Sequence, residues 1–113
     1  MDRITFLQNK LIEVLEDYLL EMRQPSNQNI DFVSITDMNK NHFQIIAMGW
    51  EGHKRIFNLL FHVDIIEDKI WVQEDKMEYS IAERLIEKDI SKKEIVLAYF
   101  PEYHRAYTEY AVA

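Results

Sequence analysis

The chain has 113 residues, enough for one domain with a sizeable core and too few for two. Apolar residues make up 48% and charged residues 29%, the balance of an ordinary globular protein, and two Gly with two Pro exclude a long linker or disordered tail. The lack of Cys removes disulfides, thiolate metal sites and a cysteine nucleophile, while a formal charge of −7 argues against unaided binding to nucleic acid, whose phosphates need a Lys/Arg-rich face.

The N-terminus, Met1-Asp2-Arg3-Ile4-Thr5, lacks a basic stretch followed by an apolar run, so no secretory signal is expected. Residues 2–24 carry Ile4, Leu7, Leu11, Val14, Leu15, Tyr18 and Met22 at three- and four-residue steps, which predicts a long amphipathic helix. It ends at Gln24-Pro25, because the residue before a proline avoids the helical region. The period then changes to two. Strands are expected at Ile30–Met38, His42–Glu51, Lys54–Ile66 and Lys69–Glu74, separated by Asn39-Lys40-Asn41, by a turn at Gly52 and by Glu67-Asp68. Links this short demand an antiparallel meander. Ser80-Ile81-Ala82-Glu83 has the form of a capping box and opens a helix over about residues 81–88. Ser91 and Glu94 repeat the pattern ahead of Ile95–Phe100, a fifth strand or extended segment closed by Pro101. The tail, with Tyr103, Tyr107 and Tyr110, is a short helix or extended packing. The fold class is therefore α+β, a single domain over residues 1–113 with a long N-terminal helix on an antiparallel β-meander.

The third predicted strand includes the longest apolar stretch, Ile56 to Ile66, but Asn58, His62 and Asp64 interrupt it and it falls short of the roughly 20 residues that cross a bilayer. Strict alternation gives it an apolar face of Phe57, Leu59, Phe61, Val63 and Ile65, directed at the helices. Ile56, Asn58, Leu60, His62 and Asp64 then point away. In the fourth strand Ile70 and Val72 join the core, and Lys69, Trp71 and Gln73 point away. Gln44, Ile46, Met48 and Trp50 share one side of the second strand, and the register leaves open which side that is. The outer face thus collects His62, Asp64, Trp71 and Gln73. It is either covered by the C-terminal tail or open to a partner, a second copy of the chain or a small ligand.

Other chemistry finds weaker support. His62 and Asp64 have the spacing of two metal ligands, but a third must come from elsewhere, such as His104 or Glu78, so no metal set is assigned and no cofactor is expected. Ser34 and Ser80 stand in strand and cap contexts rather than on a strained nucleophile turn. Glu74, Asp75 and Glu78 read as a solvated acidic loop. With Gly49 and Gly52 the only glycines, no phosphate-cradling loop exists. His53-Lys54-Arg55 and Lys92-Lys93 are the only basic clusters, and both are small.

Several pieces resemble the XisI family in order. They are His42-Phe43-Gln44, Met48-Gly49-Trp50, Lys54-Arg55-Ile56-Phe57, His62-Val63-Asp64-Ile65 and Lys69-Ile70-Trp71-Val72-Gln73. Ile81-Ala82-Glu83-Arg84-Leu85, Ile95-Val96-Leu97, Arg105-Ala106-Tyr107-Thr108 and the closing Tyr110-Ala111-Val112-Ala113 follow. The chain departs from the family at Glu67-Asp68, where Asp-Gly is usual, at Asp89-Ile90-Ser91, where Gly-Val-Pro is frequent, and at Ala98, where Gly is frequent. The resemblance implies an α+β fold and an accessory, non-enzymatic role in excision of the fdxN element in cyanobacteria, with strand chemistry left to a recombinase. It also implies a nuclease-like companion, XisH, as partner, and it brings no catalytic residues. The expectation is a cytoplasmic controlling factor that binds its partner through His62, Asp64, Trp71 and Gln73, with Trp50 and Arg105 contributing. A homodimer is the further option, and direct nucleic-acid or membrane binding is not expected. The alternative is a ligand-binding or metal-dependent enzyme domain built on the same face.

Overall fold

A computed structural model describes residues 2–27 and 29–113. Helix α1 (Arg3–Met22) starts where the Asp2 carboxylate accepts the Thr5 N–H at 2.8 Å, satisfying one of the donors a helix start leaves open. Its stripe of Leu7, Leu11, Val14, Leu15, Tyr18 and Leu19 is buried, and at about 1.5–3 kcal/mol for each fully buried large apolar side chain this face anchors the helix. A 3₁₀ turn at Pro25–Asn27 redirects the chain.

Four strands follow, β1 (Ile30–Asp37), β2 (His42–Glu51), β3 (Lys54–Ile66) and β4 (Lys69–Asp75), each antiparallel to the next. Helix α2 (Ile81–Glu87) then carries the chain back across the core side. After a 3₁₀ turn at Lys92–Glu94, β5 (Ile95–Leu97) pairs with β4 in parallel, so the sheet is mixed, in the order β1-β2-β3-β4-β5. The two Ser-x-x-Glu patterns differ in outcome. Ser91 and Glu94 form both halves of a capping box, whereas at α2 the Ser80 hydroxyl accepts the Glu83 N–H, the first half. A short helix α3 (Glu102–Arg105) precedes the tail. Among the described residues no helix is long and apolar enough to cross a membrane.

One sheet face packs on α1 and α2 through Phe43, Ile45, Phe61, Val63, Ile70 and Val72. Here the structure corrects the expected alternation of β3. Ile45 pairs with Phe61 but Ile46 pairs with Leu59, so Leu60 is an extra residue, a β-bulge. Its carbonyl accepts the Lys76 N–H at 2.8 Å, and its side chain packs against the core. Before the bulge the phase of β3 is inverted. Phe57 and Leu59, expected in the core, lie on the outer face with Met48 and Ile46, and Phe57 is 62% exposed. Leu60, expected outside, turns in.

Candidate functional site

The bulge decides which side chains of β2 and β3 meet. Counted back from the tight turn at Gly52 without an extra residue, His42 would face Val63. With Leu60 inserted it faces Asp64, and Gln44 faces His62. Four polar side chains therefore occupy the corners of a rectangle on the outer face, two on each strand.

They are hydrogen-bonded to one another. Nδ1 of His42 lies 2.6 Å from Oδ1 of Asp64, and Nε2 of His62 lies 2.7 Å from the same oxygen. Nδ1 of His62 lies 2.8 Å from Oε1 of Gln44. A second irregularity, at Gln73 of β4, separates the Val63–Val72 pair from the His62–Glu74 pair. From that position the Gln73 amide donates to Oδ2 of Asp64 at 3.2 Å. Burial, the largest single influence on Asp64, opposes its ionisation, but hydrogen bonds from His42 and His62 and their charge outweigh it and hold the carboxyl below its ordinary pKa. The two rings lie tilted with centroids 5.8 Å apart.

Trp71 pairs with Asp64 in the register and so shares the face of His62, as strand alternation requires. It is half-covered. The Arg105 guanidinium lies over its ring at 5.5 Å and donates to the carbonyls of Phe100, Ala98 and Val112, tying α3 and the tail together. Ala111 forms a parallel bridge to Val96 on β5, which fixes the tail along that edge of the sheet. Trp50 also points outward, but at the far end of β2, where Arg55 lies 5.4 Å over its ring. That end is apolar: Trp50 and Phe57 are 52% and 62% exposed, with Met48, Leu59 and Val33 adjoining them, while Ile35, 46% exposed, lies beside Gln44 next to the polar cluster.

His62, Asp64 and Gln73 are thus in direct contact, Trp71 and Arg105 stack beside them, and Trp50 belongs to a separate apolar end of the same face. Sequence reasoning missed His42 and Gln44. Their two-residue spacing matches that of His62 and Asp64, but only the bulge makes the two pairs coincide. Among the described residues the group that joins His62 and Asp64 contains His42, not His104 or Glu78. His104 instead stacks on Phe100 at 4.2 Å.

A long helix on a mixed five-stranded sheet, with a polar cluster and an apolar end on the uncovered face, defines a small α+β protein whose features of interest lie on a sheet surface. Residues 1–112 match the family model for XisI protein, and the chain belongs to the XisI family. A crystal structure of a XisI-like protein from Anabaena variabilis ATCC 29413 superposes with a TM-score of 0.88 at 32% identity, over 97% of this chain and 99% of that one. The fdxN element excision controlling factor XisI from the same organism superposes with a TM-score of 0.81 at 23% identity, over 99% and 100% of the two chains. No curated protein matches the chain.

Proposed function

We propose that the chain is a non-catalytic controlling factor in site-specific excision of a DNA element, and that it acts by docking on a partner protein, a XisH-like companion. The observation that carries this reading is the inversion of β3 before Leu60, which turns Phe57 and Leu59 outward beside Met48 and Trp50. An apolar surface of this kind, continuous with a polar cluster, has the composition of a protein interface. The net charge of −7 favours a basic partner, such as a nuclease whose DNA-binding groove the chain would cover. The process is supplied by the family and by the name of the solved Anabaena relative.

Co-purification of the tagged chain with its companion at low and at high salt tests the reading. A complex that weakens with salt is expected, and no complex at either salt removes it. Self-association through the same face is the competing outcome, seen as a doubled mass in sedimentation.

The His42–Asp64–His62 cluster favours a second reading, in which the face holds a small ligand. Crystals soaked with metabolites would show it as density beside Gln44 and Gln73.

A further inference from the structure

We propose that His42, His62 and Asp64 form a binding site for one divalent transition-metal ion of the zinc class. Two observations carry it. First, the donors converge: both imidazoles bring a nitrogen to the same Asp64 oxygen, at 2.6 and 2.7 Å, and all three ligand atoms lie within 4.8 Å of one another. Neighbouring strands hold them by direct cross-strand pairing, a more rigid platform than a loop.

Second, the remote atoms of two ligands are already engaged. Nδ1 of His62 meets the Gln44 amide oxygen at 2.8 Å, and the second oxygen of Asp64 accepts from Gln73 at 3.2 Å. Metal-binding histidines and carboxylates have outer partners of this kind, which fix the tautomer and orient the ligand.

The geometry needs little adjustment. Ligand atoms around a tetrahedral zinc, with bonds near 2.0–2.2 Å, sit about 3.3 Å apart, so the donors must spread by somewhat more than half an ångström. His42, with its side chain 51% exposed, is free to rotate by that much, and its exposure leaves a fourth position open to water. Two imidazoles and one carboxylate suit zinc and its neighbours better than calcium or magnesium, which prefer all-oxygen shells.

The proposal concerns the isolated chain and stands or falls separately from partner docking. Calorimetric titration of chelator-treated protein with zinc chloride, with cobalt chloride as a spectroscopic probe, is the test. One ion per chain is expected, with affinity at least tenfold weaker in each of His42→Ala, His62→Ala and Asp64→Asn. Gln44→Leu, which removes only the outer partner of His62, should weaken binding by about tenfold without abolishing it. His53→Ala and His104→Ala should bind like the parent. Circular dichroism checks the fold of every variant, and His42→Ala, altering the most exposed ligand, keeps the test decisive if the others unfold. Absence of saturable binding by the parent, or binding unchanged in His42→Ala, overturns the proposal.

Discussion

At Gly49 the backbone takes φ +154°, and a Cβ built there would lie 2.0 Å from the Asn29 carbonyl oxygen. That oxygen accepts the Trp50 N–H at 3.1 Å, so the strand and the preceding loop cannot move apart without losing the bond. Gly52, at φ +63°, has open space around it and costs an alanine only its left-handed conformation. Gly52→Ala should therefore lower stability by about 1–2 kcal/mol, and Gly49→Ala by more, roughly 2–4 kcal/mol, with denaturant unfolding as the measurement. The opposite sign is expected at Asp89. It stands at φ +70° just past α2, where Asp89 N–H bonds to Ile86 and Ile90 N–H to Leu85, the two bonds of a Schellman ending. An acid there combines a left-handed backbone with the negative end of the helix dipole. Asp89→Gly should raise stability by about 0.5–1 kcal/mol, seen as a higher Tm.

Among the elements, β3 separates what was legible from what was not. The spacing of Leu7, Leu11, Val14 and Tyr18 marks α1 because each local choice agrees with the helical period. The short turns mark the meander because no other topology fits them. The direction of β5 was hidden, since three residues carry too little pattern to show their partner. The outer placement of His62, Asp64 and Trp71 was legible because these residues lie between the Leu60 bulge and the irregularity at Gln73, where alternation runs uninterrupted, and Gln73 keeps its contact with Asp64 from the irregularity itself. The bulge itself left no mark, because Leu59 and Leu60 are identical side chains and alternation cannot tell which is the extra one. Phe57 and Phe61 test the phase directly. Phe61 is fully buried beside Tyr18, with ring centroids 5.2 Å apart, while Phe57 is largely exposed. Phe61→Ala should cost about 3–5 kcal/mol, and Phe57→Ala less than about 1 kcal/mol. Equal losses in urea titrations would mean that β3 alternates without interruption.

For the whole molecule, charge and apolar surface have separable consequences for docking. A net charge of −7 acts over the Debye length, about 8 Å at physiological salt, so it governs how often a basic partner is encountered. The apolar end acts only at contact and governs how long the complex lasts. Asp31 pairs with Met48 in the register, on the outer face beside that end, and is exposed. Asp31→Lys changes the net charge by two units while leaving Phe57 and Trp50 in place. It should slow association with a basic companion several-fold at low salt and have little effect at high salt, with dissociation nearly unchanged. Phe57→Ser should do the reverse, leaving association within about twofold and speeding dissociation by tenfold or more at both salts, as expected for a contact residue near the centre of an interface. Surface plasmon resonance with the companion immobilised reads both rates. If both substitutions change only association, the apolar end is not part of the contact; if neither changes either rate, the partner binds elsewhere on the molecule.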